Sequence, residues 1–206
     1  MVVCGLHEAD SEHRRTVQVA PGDDHPRAAH RNVPGGAPLG MPDEAQNIDS
    51  KLILPQFFFP CRRGAVITKR FGEKGSAWSS GFHNGTDIDD EMGAPGFAAY
   101  PGICSHAGEA PADRPNNRAW GRYVVLEHSW KGLSFRTYYA HLSGECCAVG
   151  QEIEMGQEIG KIGNTGKVRP SNPKSDGSHL CFCVFLKIGP DWRWVPPPPF
   201  FNHEAS

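Results

Sequence analysis

His179-Leu-Cys-Phe-Cys-Val-Phe-Leu-Lys-Ile188 is the stretch whose reading decides the fold. Taken as a strand, its two-residue period places His179, Cys181, Cys183 and Phe185 on one face. Working back from it, the chain is a series of similar short runs cut by Gly and Pro. Tyr123-Val-Val-Leu-Glu-His128 is a strand of alternating and branched residues. Trp130-Lys131-Gly132 turns it into Leu133-Ser-Phe-Arg-Thr-Tyr-Tyr-Ala-His-Leu142. Ile153, Ile159 and Ile162, set among Gly150, Gly156, Gly160, Gly163 and Gly166, predict two very short strands in a tight meander. Phe97–Tyr100 meets a turn at Pro101-Gly102 and continues as Ile103-Cys104-Ser105. Ala65–Gly72 reads as a short strand ending in a Gly turn. The apolar run Leu52–Phe59, broken by Pro55, predicts an edge strand or a segment packed over the domain. No long amphipathic helix is visible, so the pattern predicts an all-β fold, an antiparallel β-sheet, sandwich or barrel.

Outside these runs the composition changes. Residues 1–50 are polar, broken by Pro and Gly, and carry His7, His13, Arg14, Arg15, His25, His30 and Arg31 without any helical or strand period. Such a segment buries too little apolar surface to offset the entropy of ordering, so a disordered or linker arm is expected over 1–50 and one domain over 51–202. The formal net charge of -2 gives no drive toward nucleic acid or an anionic membrane. No run approaches the length of a membrane span. The first residues, Met1–Asp10, lack a basic and then apolar leader, so no ordinary signal peptide is expected here. The seven Cys are an odd number and include no CxxC pair, which predicts no disulfide framework.

Candidate chemistry begins at Gly81-Phe-His-Asn-Gly-Thr-Asp-Ile-Asp-Asp90. His83 and Asp87 are four residues apart, which puts both side chains on one side of a strand. An imidazole beside a carboxylate supplies two of the usual three protein ligands of a catalytic zinc. The alternative is a surface His and a turn Asp. On the final strand His179 and Cys181 point the same way, and His141 ends the strand before it.

Together these motifs resemble the lysostaphin/LytM-type peptidases, the M23 family of zinc metallopeptidases that cut peptide cross-links of bacterial peptidoglycan. The resemblance rests on His83-x-Gly-x-Asp87, Tyr139-Ala-His-Leu142 and His179-Leu-Cys181, the last standing where the family has His-x-His. Arg70-Phe-Gly72, Gly93-Ala-Pro95, Ala98–Gly102, Gly121–Val125, Val149-Gly-Gln151 and Gly156–Gly166 follow in the family's order, so the likeness covers about 66–198. It implies a lysostaphin-type, duplicated-hybrid-motif-like β fold and a zinc-dependent endopeptidase acting, as a monomer, on peptidoglycan stem or cross-bridge peptides at the cell wall or periplasm. By the same resemblance His83, Asp87 and Cys181 hold Zn2+, while His141 and His179 flank the attacking water as general base and transition-state stabiliser.

Cys181 departs from the family. Three readings stand: a thiolate zinc ligand; a degenerate site whose scaffold binds cell wall or regulates other wall hydrolases; or a small buried hydrophobe. Cys183 is read as packing or as a substitute ligand. Asp89 and Asp90 are read as supports to a ligand or as a solvated turn, and His106 and His128 as structural or exposed. Trp120, Tyr138, Tyr139 and Trp192 line either a substrate groove or the core.

Overall fold

The computed structural model describes residues 54–76, 78, 80–110, 115–170 and 175–201. The arm expected over 1–50 lies outside the described residues. The regular structure among the described residues is almost entirely strand. In chain order these are β1 (Phe57–Phe58), β2 (Val66–Lys69), β3 (Thr86–Asp89), β4 (Pro95–Phe97), β5 (Gly102–Glu109), β6 (Arg122–Trp130), β7 (Leu133–Leu142), β8 (Gly144–Glu145), β9 (Glu152–Ile153), β10 (Glu158–Lys161), β11 (His179–Ile188), β12 (Asp191–Val195) and β13 (Phe200–Phe201). A short 3-10 turn at Pro115–Trp120 is the one helical element among the described residues.

The main antiparallel sheet runs β2-β3-β11-β7-β6-β5-β9, with β12 also paired to β11. A small antiparallel sheet, β4-β10-β8, lies beside it, and β1 pairs with β13 in parallel. This is the antiparallel all-β architecture that the alternation predicts. Strand β11 is its hub, because it is flanked by β3 on one side and β7 on the other.

Both faces of β11 are covered, each by a different population. Leu180, Phe182, Val184 and Leu186 enter the main core with Phe57, Val124, Leu126, Phe135 and Tyr139. Each such side chain, once buried, contributes about 1.5–3 kcal/mol. Cys181 and Cys183 face the other way, toward Tyr123, Val125 and Ala140, with Trp120, Tyr138 and Trp194 packed around them. The two-residue period thus separates the main core from a second, smaller cluster on the opposite face.

The groove reading of Tyr139 is overturned here. Tyr139 is 0% exposed and sits in the main core, since strand parity sends it opposite to Tyr138. Its hydroxyl belongs to a buried hydrogen-bonded chain. The Ala99 amide donates to Tyr139 (2.8 Å), the Tyr139 and Thr137 hydroxyls are 3.0 Å apart, Thr137 lies 2.7 Å from His128 Nε2, and His128 Nδ1 donates to the Pro101 carbonyl (2.9 Å). Every partner is satisfied if Tyr139 donates to Thr137 and Thr137 to a neutral His128.

Candidate metal centre

The site forms where β3, β11 and β7 run side by side. Register pairs Cys181 with Asp87 across one ladder and with Ala140 across the other. Asp87 and Cys181 are therefore neighbours on one face.

His83 reaches them from the turn before β3, not from the strand. The expected single strand carrying both residues is corrected on this point. β3 starts at Thr86, and the backbone of His83 pairs instead with Gly72 and Glu73 (2.8 and 2.9 Å). Gly85 makes this turn feasible. A Cβ there would lie 2.6 Å from Cys183 Sγ, 2.9 Å from Cys181 Sγ and 3.0 Å from the Phe182 carbonyl. The turn can cross the thiols only with no side chain at that position.

His83 Nε2 stands 3.1 Å from Asp87 Oδ1 and 3.5 Å from Cys181 Sγ, and one ligand atom from each of the three residues lies within 4.8 Å of the others. All three are buried. Asp87 Oδ1 has no hydrogen bond, although it lies near His83 Nε2 and is 3.7 Å from His179 Nε2. Neither contact is a hydrogen bond, which makes the oxygen an orphan acceptor. A buried carboxylate oxygen facing imidazole and thiol, without a donor, is a position suited to a cation. Nitrogen, oxygen and sulfur donors converging in this way suit zinc.

The electrostatics agree. Burial pushes the His83 imidazole down, but contact with the Asp87 carboxylate and the Cys181 thiol more than offsets this and carries its pKa up to about 10. Burial raises the Asp87 carboxyl, yet the close approach of His83 and the neighbouring His179 and Lys69 hold it well below the usual carboxylate range. Without metal, protonated His83 is thus the cation of the cluster. The Cys181 thiol is pushed well up by its contact with Cys183 and by burial. Cys183, its sulfur 3.8 Å from that of Cys181, packs behind it among the aromatic side chains.

His141 and His179 complete the face, with ring centroids 4.7 Å apart. Each is oriented through Nδ1, which donates to a carbonyl: His141 to Thr165 and His179 to Gly177, both 2.8 Å. Nε2 of each ring is left for chemistry. Burial, with the neighbouring His179, lowers the His141 pKa to about 4.

Strand parity alone would turn His141 toward the core, next to Leu142. An extra residue on β7 prevents this, since Arg122 pairs with Leu142 while Val124 pairs with Tyr139. His141 itself takes a left-handed backbone, φ 67°. Non-glycine residues rarely adopt that conformation, and it occurs at functional sites. Gly163, whose Cβ would lie 2.4 Å from the Ser143 amide and 2.7 Å from the His141 carbonyl, lets the chain pass beneath and bridge to His179.

Sequence reasoning missed two neighbours. Trp78 stacks on His83 with centroids 4.9 Å apart, and nothing in its flanking residues signals this. Lys69 Nζ lies 3.1 Å from Asp87 Oδ2. The remaining candidates are structural. His128 is buried in the chain described above, and His106 stacks on Tyr123 at 4.0 Å. Asp89 accepts from Thr68 and Asp90 from Arg62. Trp192 packs on Phe185 and Arg136, while Trp120 and Tyr138 pack with Trp194.

The sequence profile of Peptidase family M23 matches residues 81–189, more than half of the chain. Peptidoglycan DD-endopeptidase ShyA of Vibrio cholerae serotype O1 is 34% identical over 143 residues, covering 69% of this chain and 27% of that protein. The lipoprotein NlpD/LppB homolog of Pseudomonas aeruginosa is 28% identical over 104 residues, covering 50% of this chain and 30% of the relative. The chain thus spans under a third of the length of either. Among solved structures, a zinc containing peptidase from Vibrio cholerae superposes with a TM-score of 0.53 at 26% identity, covering 69% of this chain and 39% of that one.

Proposed function

The chain belongs to peptidase family M23, and from that premise we propose that it is a zinc-dependent endopeptidase that hydrolyses peptide bonds in the stem or cross-bridge peptides of peptidoglycan. The observation that carries this reading is the convergence of His83, Asp87 and Cys181 on one sheet face, with His141 and His179 beside them. The relatives named as peptidoglycan DD-endopeptidases support the substrate class. Action at the cell wall or in the periplasm follows from that substrate. One chain carries all five side chains, so a monomer suffices.

His83, Asp87 and Cys181 would hold the zinc. Bound there, zinc would supply a Lewis acid. Neutral His141, its Nδ1–H fixed on Thr165, presents a basic Nε2 that takes the proton of the attacking water. The same nitrogen then returns a proton to the leaving amine. His179, fixed on Gly177, donates from Nε2 to the oxyanion as the tetrahedral carbon forms. Burial of the site excludes bulk water and strengthens each of these interactions.

A second reading, a degenerate module that binds cell wall or regulates other wall hydrolases, draws support from Cys181. Zinc takes the thiolate, and burial with the contact to Cys183 makes that form costlier here. The test is metal content with digestion of purified peptidoglycan. The enzyme reading expects about one zinc per chain and release of peptide fragments. It expects His141→Ala to keep the zinc and lose roughly 100- to 10,000-fold in kcat. A metal-poor, inactive wild type that gains zinc only as Cys181→His would establish the degenerate reading.

A further inference from the structure

We propose that Lys69 is a positioning residue of the metal centre, whose ammonium balances the extra negative charge that Cys181 brings in place of a neutral third ligand. The proposal rests on the zinc reading above. Its first support is a built-in irregularity of β2. Val66 pairs with Asp89 and Ile67 with Ile88, but Lys69, not Thr68, pairs with Asp87. Thr68 is therefore an extra residue, and without it Lys69 would point to the opposite face. Bulges next to active sites commonly re-aim a side chain in this way.

The second support is the contact itself. Lys69 Nζ lies 3.1 Å from Asp87 Oδ2, and its side chain is only 32% exposed. This occupies one carboxylate oxygen and leaves Oδ1, the orphan acceptor, facing His83 and His179. The third support is charge. A divalent ion with two neutral ligands and one carboxylate keeps one net positive charge. A thiolate in place of one imidazole removes it, and an adjacent ammonium restores it. Lys69 is thus matched to Cys181 through Asp87, although it touches only the latter.

The experiment is a double-mutant cycle on zinc affinity. Kd for zinc is measured at one fixed pH by competition with a chromophoric chelator. The proteins are the full-length wild type, Lys69→Met, Cys181→His and the double variant. Removing the ammonium relieves repulsion of the ion in both backgrounds, and any effect on Asp87 orientation is common to both. Only with Cys181 present does it also remove the partner of the thiolate. The ratio Kd(Lys69→Met)/Kd(Lys69) should therefore be about tenfold larger with Cys181 present than in the Cys181→His background. Lys69→Arg, which keeps the charge, should stay within about threefold of wild type. Equal ratios in the two backgrounds, or a smaller ratio with Cys181, overturn the proposal while leaving the zinc reading intact. Failure of wild type to take up zinc at any concentration overturns the zinc reading, and this proposal with it. Thermal melts of chelated samples check folding, and Lys69→Gln replaces Lys69→Met if the latter unfolds.

Discussion

Gly85 and Cys181 show how tightly single positions are determined at this site. A methyl group at Gly85 would meet both Cys183 Sγ and Cys181 Sγ below 3.0 Å, with the Phe182 carbonyl at 3.0 Å. Neither the strand backbone nor short cysteine side chains can retreat far. Gly85→Ala should therefore cost about 1–3 kcal/mol of stability, as overpacking in a dense interior does. It should also weaken zinc binding at least about tenfold, because Cys181 must leave its place near His83. Chemical denaturation and chelator competition measure the two effects, and unchanged zinc affinity would mean that Cys181 is not a ligand. The need for glycine here is visible in His83-x-Gly-x-Asp87 as a motif, but its cause is not. That cause lies nearly a hundred residues away in sequence, on β11. Lys69 was illegible for a related reason: its direction depends on one extra residue in a strand, which alternation cannot register.

At the scale of elements, alternation is a good guide where strands are regular and fails where they bulge. β11 reads correctly from its sequence, with Cys181 and Cys183 on one face and Leu180, Phe182 and Val184 on the other. In β7 the same rule assigns Tyr139 to the core but misplaces His141, which reaches the site through a bulge and a left-handed backbone. β6 and β7 are also joined by the buried His128, Thr137 and Tyr139 chain, and this joint gives a prediction about acid. Burial lowers the His128 pKa from 6.5 to about 4. Between these values the unfolded chain binds the proton and the folded one does not, so stability is complete above about pH 6.5 and falls as pH drops toward 4. The loss attributable to this residue approaches about 3 kcal/mol. His141, depressed in the same direction, adds a loss of the same sign. Urea unfolding from pH 7 to pH 4 should show a steeper decline for wild type than for His128→Gln. Parallel curves would place the acid sensitivity elsewhere.

The whole molecule joins two functions in one sheet: the face of β11 that holds the fold is separate from the face that holds the site. Substitutions at the site should therefore change chemistry more than folding, provided they respect the close approaches at Gly85 and Gly163. Residues 1–50 carry no core-facing pattern, so their deletion should shift the thermal midpoint by no more than about 2 °C, and a larger loss in a melting curve would show that they pack on the domain. Metal should act in the opposite way. His83 is tied by its backbone to the Gly72–Glu73 turn, Asp87 lies on β3 and Cys181 on β11. An ion shared by the three would clamp the β2–β3 edge of the sheet to its hub, at a site that the unfolded chain does not possess. With free zinc about a thousandfold above Kd, the folded state gains about 4 kcal/mol. For a domain of this size that gain should raise the thermal midpoint by on the order of 10 °C relative to the chelated protein. Asp87→Ala should abolish the difference, whereas His141→Ala, which on the proposed reading removes a base and not a ligand, should keep it. The zinc-dependent shift thus separates ligands from catalytic groups without an activity assay. If chelation leaves the wild-type midpoint unchanged while zinc is demonstrably removed, the ion binds somewhere other than this cluster.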